Sequence, residues 1–256
     1  MPDRLPNGRD LGELRTAAGL PLRRGAVYRS AALMRPEHAA AVAQLGIERV
    51  YDLRTDGERQ QRPDQVPDGV EVVVADLLAD EPDAGPASLA ALARASVTGD
   101  RHTLTAEELD RTFVAGYRSF VTLDSSRAAI GQILRDLAEP AAAPVVVHCT
   151  AGKDRTGWAV AVLLSTLGVP WDDVMDDYLR SGPAVRELLA PYREYFAAEG
   201  GDVAALDRAI SVYPHYLEAA RNEAHATFGD WDGYLQDGLG VDPEVRAALV
   251  HRLVHD

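Results

Sequence analysis

The chain has one cysteine, and an arginine stands six positions after it, in the segment H-C-T-A-G-K-D-R-T-G at residues 148–157. A cysteine thiolate is a strong nucleophile, and an arginine guanidinium can hold two oxygens of a phosphate group at once. Gly152 lies between them and permits a backbone conformation that a Cβ atom hinders. These residue types at this spacing predict attack on a phosphorus atom by Cys149, with Arg155 binding the phosphoryl oxygens.

The elements on either side of this segment suit it to an anion. Pro144–His148 predicts a short buried strand and Thr156–Leu167 an apolar helix, so a loop joins the carboxyl end of a strand to a helix N-terminus. Consecutive N–H groups in such a loop can point at one centre, and the helix dipole favours negative charge there, including the thiolate. We expect a phosphate-binding cup formed by Cys149, Thr150, Ala151, Gly152, Lys153, Asp154 and Arg155.

A buried, inert cysteine at a strand end is the competing interpretation. It leaves unexplained why the chain's one lysine, Lys153, falls inside this loop when the other basic residues are all arginine. A lysine is a compact point charge that a planar arginine does not replace in a tight site. The coincidence of Gly152, Lys153, Asp154 and Thr156 with a strand–loop–helix context favours a functional site.

Composition excludes several other classes of protein. The 256 residues are 46% hydrophobic and 26% charged, which is typical of a soluble globular protein. No apolar run approaches the roughly 18 residues of a membrane helix, and no basic-then-apolar signal opens the chain, so we expect no stable membrane insertion. This predicts a cytoplasmic protein, or one secreted without a typical signal peptide. The net charge of −14 argues against nucleic-acid binding, and one cysteine excludes an intramolecular disulfide framework.

Alternating strands and helices up to about residue 167 predict an α/β fold, with a mainly parallel central sheet flanked by helices. We expect the Val70–Ala75 strand to be buried on both faces because it is a run of β-branched residues. Residues 80–103 read as a loop, with or without one short helix. The predicted strands are Leu11–Leu14, Ala26–Ser30, Ile47–Leu53, Val70–Ala75 and Pro144–His148. The predicted helices are Arg35–Leu45 ended by Gly46, Thr105–Val121 with a Thr105/Glu108 capping box, one capped by Asp124 or Ser125 and running to Ala138, and Thr156–Leu167.

After Pro170 the sequence predicts helices only. This all-helical C-terminal part either completes a packing layer on the sheet or forms a lid over the site. The predicted helices are Asp172–Arg180, Ala184–Ala198, Val203–Ala226 with a break at Pro214, Trp231–Gln236 and Pro243–Val254.

The loop H-C-T-A-G-K-D-R-T-G resembles the phosphate-binding loop of cysteine-dependent protein-tyrosine and dual-specificity phosphatases. Its G-K-D-R-T-G form is similar to that of the bacterial protein-tyrosine phosphatase B family. The resemblance extends over nearly the whole chain. The other matching segments are N-G-R-D-L at 7–11, Y-R-S at 28–30, D-L-R at 52–54, D-L-L-A-D at 76–80, D-Y-L-R-S at 177–181 and the tail from Tyr216 to Gly238.

The resemblance implies a cysteine-phosphatase-like domain over 1–256, with a helical lid within 183–236. It implies a metal-independent hydrolase without cofactor that acts on phosphotyrosine in proteins or peptides, with dual specificity an open question. A phosphoinositide phosphatase and a catalytically inactive phosphate-binding module remain the alternatives. Phosphoinositide phosphatases often carry a second basic residue where Thr150 and Ala151 stand here. The family usually has an aromatic residue in place of Gly8.

The resemblance and the chemistry of the side chains together assign expected roles to the loop residues. Cys149 would form a phosphocysteine intermediate and Arg155 would stabilise the transition state. Thr156 could donate its hydroxyl to the thiolate, or it could serve only the helix N-terminus. His148 is expected to brace the loop. Lys153 would contact a second phosphate or an acidic flank of the substrate, or be solvated.

The leaving phenolate needs a proton, and the resemblance points to Asp154 as general acid and then as base. Asp76, at the end of the strand Val70–Ala75, is the alternative acid, or a strand-end cap. Asp52, Arg54 and Arg29 follow or end neighbouring strands. We expect these three residues to form an ion-pair network. The network either positions the loop or has a purely structural role.

Overall fold

The computed structural model describes residues 5–81, 105–140 and 142–255. Within these ranges five strands form one sheet in the order β1-β2-β5-β3-β4, and only the pairing of β1 with β2 is antiparallel. The predicted mainly parallel sheet is therefore confirmed. The strands are β1 Arg9–Asp10, β2 Val27–Ala31, β3 Arg49–Asp52, β4 Glu71–Val74 and β5 Val145–Cys149.

Helices cover both faces of this sheet and make up the C-terminal part. Those up to residue 166 are α1 Pro36–Gln44, α2 Asp56–Gln61, α3 Ala106–Thr122, α4 Asp124–Ala138 and α5 Asp154–Thr166. Those that follow are α6 Trp171–Leu179, α7 Ser181–Leu188, α8 Ala190–Ala198, α9 Val203–Ile210, α10 Pro214–Phe228, α11 Trp231–Gly233, a π-helical turn Tyr234–Gly238, and α12 Pro243–Leu253.

β5 is the middle strand of the sheet and is buried along its whole length. Because successive side chains of a strand point to opposite faces, its three valines divide between two cores. Val146 packs with residues of α1, whereas Val145 and Val147 face the larger core formed with α3, α4, α5 and α10. The V-V-V run is thus the signature of a strand covered on both sides. The loop after Cys149 therefore begins at the carboxyl end of the middle strand.

Two strand predictions were wrong. The N-terminal strand is Arg9–Asp10, and Leu11–Glu13 forms a 3₁₀ turn capped by the Asp10 side chain, which accepts from the Gly12 amide at 2.8 Å. The strand at 70–75 is not buried on both faces. Among the described residues it pairs only with β3, at the end of the sheet, and Val72 and Val74 are 42% and 54% exposed. An apolar run cannot tell an edge strand from a central one.

The predicted helices are present with small shifts at their ends, but one of them is divided and α2 was not predicted. The single helix expected over Ala184–Ala198 is two, broken at Leu189, and Pro191 lies in the first turn of the second. The break at Pro214 and the Thr105/Glu108 capping box are confirmed. No side chain of α4 caps its N-terminus; instead Asp80, from a distant loop, accepts from the Ser125 amide. The predicted loop at 80–103 lies outside the described residues except at its first two positions.

In the ranges that the structure describes, no helix has both the length and the apolar character that crossing a membrane requires.

A buried cluster of charges joins β1, β2 and α6. Asp177 of α6 accepts from Arg9 Nε and from Arg29 Nη1, both at 2.5 Å, and all three side chains are almost fully buried. Burial raises the pKa of Asp177, but the charges of Arg29 and Arg9 outweigh burial and lower it. The carboxylate is therefore the counter-charge on which two buried guanidinium groups depend.

Replacing Asp177 by Ala should lower the free energy of unfolding by about 3–5 kcal/mol, because it leaves buried cations without a partner. The matched control is Asp232→Ala: Asp232 also pairs with an arginine, Arg246, at 2.6 Å, but its side chain is 76% exposed. That change should cost no more than about 1 kcal/mol. Urea denaturation of the two variants measures the difference, and equal losses would contradict this account of the cluster.

Candidate active site

The predicted phosphate loop lies where the sequence placed it. Cys149 is the last residue of β5 and Asp154 is the first residue of α5. β2 and β3 lie on either side of β5, so the loop opens at the carboxyl end of a central strand between two parallel neighbours. This is the position at which open α/β sheets bind ligands.

The loop presents donors that the protein does not use. In the described part of the chain, none of the backbone N–H groups of residues 150–155 donates to a protein acceptor. Lys153 occupies the N-cap of α5, where an oxygen-bearing side chain would normally accept from the first amides, and makes no such bond. The loop and the N-terminus of α5 therefore keep a set of N–H groups for an external anion.

Gly152 shapes the loop as the sequence predicted. Its φ is +69°, and a Cβ atom at this position would lie 2.3 Å from the carbonyl oxygen of Ser30. Only glycine fits both the left-handed conformation and the close approach to β2. Arg29 Nη2 donates to the Gly152 carbonyl at 2.8 Å, which ties the loop to the buried Arg9–Asp177–Arg29 cluster.

Arg155 turns inward and not to water. It is 5% exposed, and Glu58 holds its Nη1 and Nη2 atoms at 2.6 and 2.7 Å, while Nη1 also lies 3.4 Å from the carbonyl oxygen of Leu53. Burial lowers the pKa of Arg155, but the bond to Glu58 and the charge of Cys149 outweigh burial and raise it. The guanidinium is therefore a fixed cation beside the cysteine.

Glu58 is the main residue that the sequence analysis missed. It accepts from both Arg155 and the Thr150 hydroxyl, and its other role is the capping box of α2 with Thr55. Burial raises the pKa of Glu58, but its bonds to Arg155 and Thr150 outweigh burial and lower it. The T-x-x-E capping pattern directly after D-L-R was the available signal, because it places a glutamate at the carboxyl end of β3.

The cysteine lies deep in the site. Cys149 is 3% exposed and packs against the large apolar core. It also interacts electrostatically with the guanidinium of Arg155. Thr156 is fully buried, and its hydroxyl oxygen has no hydrogen-bond partner among the described residues. The predicted bond between Thr156 and the sulfur is thus not formed in this structure, although the hydroxyl is not committed elsewhere.

Lys153 is buried, so its interpretation as a solvated lysine was wrong. Its ammonium contacts both carboxylate oxygens of Asp154, at 2.7 and 2.8 Å, and lies 4.6 Å from the centre of the Phe113 ring. Tyr117 also donates to Asp154 at 3.0 Å, and the Tyr178 hydroxyl lies 2.8 Å from that of Tyr117. Asp154 is therefore held in place by a cation and a phenol.

His148 and the residues after β3 form a second buried network. The Nδ1 atom of His148 lies 3.1 Å from the Cys149 carbonyl oxygen, and Nε2 lies 3.0 Å from Asp64. Burial lowers the pKa of His148, but the carboxylates of Asp64 and Asp52 outweigh burial and raise it. Arg54 Nη2 donates to both of these carboxylates, at 2.6 and 2.7 Å. The network braces the base of the loop.

Asp52, Asp64 and His148 are also the one group in the described ranges whose atoms are spaced to chelate a metal, within 4.8 Å of one another. The guanidinium of Arg54 already bridges the two carboxylates. A metal ion would have to displace it, so the donor set fits a buried ion-pair network better than a metal site.

Asp76 lies near the site at the end of β4. It accepts from the Leu78 amide at 2.9 Å, as a strand-end cap, and its other oxygen is 3.7 Å from Arg59. Burial raises the pKa of Asp76.

Three of the C-terminal helices cover the loop. Ala151 packs into a separate apolar cluster with Val185 of α7, Phe196 of α8, and Leu206 and Ile210 of α9. By contrast, α10 and the π-helical turn contribute to the large core beside the sheet.

Comparison with known proteins agrees with this geometry. A model described as the tyrosine phosphatase family matches residues 2–255. The triple specificity protein phosphatase PtpB of Mycobacterium tuberculosis is 34% identical over 255 residues, which covers 90% of each chain. A putative tyrosine-protein phosphatase of Cupriavidus necator is 31% identical over 94% of this chain and 84% of its own.

These matches confirm the resemblance inferred from the loop and the flanking motifs. The family model covers nearly the whole chain, including the strand–loop–helix unit at 145–166 and the helices that cover it. The chain belongs to the tyrosine phosphatase family.

Proposed function

We propose that this protein hydrolyses phosphotyrosine in proteins or peptides through a phosphocysteine intermediate. In the first step the Cys149 thiolate forms a bond to phosphorus, the bond from phosphorus to the tyrosyl oxygen breaks, and the carboxylic acid of Asp154 gives that oxygen its proton. In the second step water attacks phosphorus, the bond from sulfur to phosphorus breaks, and Asp154 takes the proton from water. The carboxylic acid of Asp154 and the thiolate of Cys149 are thereby restored.

The observation that carries the proposal is the set of unused donors around Cys149. Of the five N–H groups of Arg155, two bind Glu58 and a third points to the Leu53 carbonyl. The two that remain, on Nε and Nη2, share one edge of the guanidinium plane and form a bidentate pair. With the N–H groups of residues 150–155, they match the non-bridging oxygens of a phosphoryl group and the charge that develops on them.

A phosphoinositide substrate is the weaker alternative. Thr150 and Ala151 add no second positive charge to the loop, and the ammonium of Lys153 is engaged with Asp154. The name of the Mycobacterium relative implies that it acts on three classes of substrate, so specificity beyond phosphotyrosine is the part of the proposal that a substrate panel must decide. An inactive phosphate-binding module is disfavoured because Cys149, Asp154 and Arg155 are all present.

We propose that the lid is a shorter segment than the one predicted within 183–236. The residues that contact Ala151 lie on α7, α8 and α9, that is, between Ser181 and Ile210. Because Cys149 and Arg155 are each no more than 5% exposed, substrate entry requires these helices to move from the loop. The segment after Pro214 packs against α3 and the core and would remain in place.

Replacing Cys149 by Ser should abolish turnover of a phosphotyrosine peptide but preserve binding of inorganic phosphate, because the amides and Arg155 remain. Phosphate release and isothermal titration calorimetry measure the two properties.

EDTA should leave the wild-type rate unchanged, since the amides and the guanidinium supply the positive field. A rate that falls in EDTA and recovers with a divalent ion would contradict the mechanism.

The choice of acid can be tested with leaving groups. Asp154→Ala should slow hydrolysis of phenyl phosphate more than that of p-nitrophenyl phosphate, by about tenfold to a hundredfold, because the poorer leaving group needs the proton more. It should also remove the basic limb of the kcat–pH profile. Asp76→Asn is the comparison, because burial raises the pKa of Asp76, which favours the protonated form that an acid needs. If instead Asp76→Asn slows hydrolysis of phenyl phosphate selectively and removes the basic limb of the kcat–pH profile, Asp76 is the acid.

A further inference from the structure

The N-terminal segment contacts the phosphate loop through one side chain. Asn7 Nδ2 donates to the carbonyl oxygens of Ala151 and Gly152, at 3.0 and 3.1 Å. Asn7 has a φ of +51°, the only non-glycine residue with a positive φ in the described part of the chain. Asparagine tolerates this conformation better than most residues, but the backbone still adopts it only where surrounding contacts enforce it.

The amide of Asn7 can sit in only one orientation. Arg9 Nη1 donates to Asn7 Oδ1 at 3.1 Å, and an arginine has donors only. The loop carbonyls at the other end are acceptors only, so Nδ2 must face them. Arg9 is fixed in turn by Asp177, to which its Nε and Nη2 donate. The donor to the loop is thus held from both sides.

This contact determines where two loop amides point. In a trans peptide the C=O and the following N–H lie on opposite sides of the peptide plane. Holding the Ala151 carbonyl toward Asn7 therefore turns the Gly152 N–H away from it. Holding the Gly152 carbonyl toward Asn7 and Arg29 does the same for the Lys153 N–H. These two N–H groups are among those that the protein leaves unused.

The segment around Asn7 is built as a close turn against β2. The Gly8 amide donates to the Leu5 carbonyl at 2.9 Å, and the Ala31 amide at the end of β2 donates to the Pro6 carbonyl at 2.7 Å. A Cβ atom on Gly8 would lie 2.4 Å from the Leu5 side chain, so the aromatic residue common at this place in the family does not fit this turn. The turn fixes the backbone from which Asn7 reaches the loop.

We propose that Asn7 is a positioning residue for catalysis, which directs the amides of Gly152 and Lys153 toward the phosphoryl group. The inference rests on the proposed function for its effect on rate, but its effect on phosphate binding does not depend on turnover. Asn7 touches neither the substrate nor the reacting atoms, and it acts through two backbone carbonyls.

Two variants test this role. Asn7→Asp replaces the donor by an acceptor that faces two carbonyl oxygens, and Asn7→Gly removes the donor but keeps the freedom to adopt a positive φ. The matched control is Asn222→Asp, the same change of charge at an exposed position of α10. Inorganic phosphate affinity is measured by calorimetry, kcat/KM with p-nitrophenyl and phenyl phosphate, and folding by thermal unfolding.

We expect phosphate affinity and kcat/KM to fall together, by about tenfold in Asn7→Gly and further in Asn7→Asp, as the loss of two modest hydrogen bonds implies. The loss should be equal for both leaving groups, because loop amides bind the non-bridging oxygens, whereas loss of the acid is selective. Asn222→Asp should match wild type.

Wild-type phosphate affinity in a folded Asn7→Gly protein, or a loss selective for phenyl phosphate, would overturn the proposal. If wild type binds phosphate but does not hydrolyse phosphotyrosine, the proposed function fails. The affinity comparison then still decides the role of Asn7. A wild-type protein that does not bind phosphate would overturn both.

Discussion

A concentrated positive field inside the protein has to be supported by the structure around it. The unused N–H groups of residues 150–155 and the buried guanidinium of Arg155 lie in one short loop. Each unsatisfied buried donor costs about 1–3 kcal/mol, so the loop would relax to pair its own amides unless something prevented it. The protein prevents it by binding the loop from outside, through its carbonyls and through Glu58 on Arg155.

Two buried charge clusters supply that support on either side of the central strand. On the β2 side, Asp177 holds Arg9 and Arg29, and Arg29 reaches the Gly152 carbonyl. On the β3 side, Arg54 bridges Asp52 and Asp64, and Asp64 holds His148. Buried ion pairs add little net stability over apolar packing. Their value here is geometric, because one ties the Gly152 carbonyl to β2 and the other holds His148, next to Cys149, to residues that follow β3.

Enclosure is the second requirement of such a field, since water would weaken every interaction in it. The apolar contact of Ala151 with α7, α8 and α9 excludes solvent from the loop, and the α3 side adds Phe113 and Tyr117 around Lys153 and Asp154. The carboxylate that we propose as acid and base is therefore paired in this enclosed form.

The loop, its strand–loop–helix context and the parallel sheet could be predicted from the sequence, because they depend on local residue types. These are the V-V-V run, Gly152, and the spacing of Cys149 from Arg155. The sequence could not place β4 at the sheet edge or find the partners of the loop. Glu58 and Asn7 lie 97 and 145 positions away from the loop residues they bind. Such contacts arise only when tertiary packing brings strand ends together. The capping box placed Glu58 at the end of β3, but neither it nor the turn asparagine identifies the loop residue that it binds.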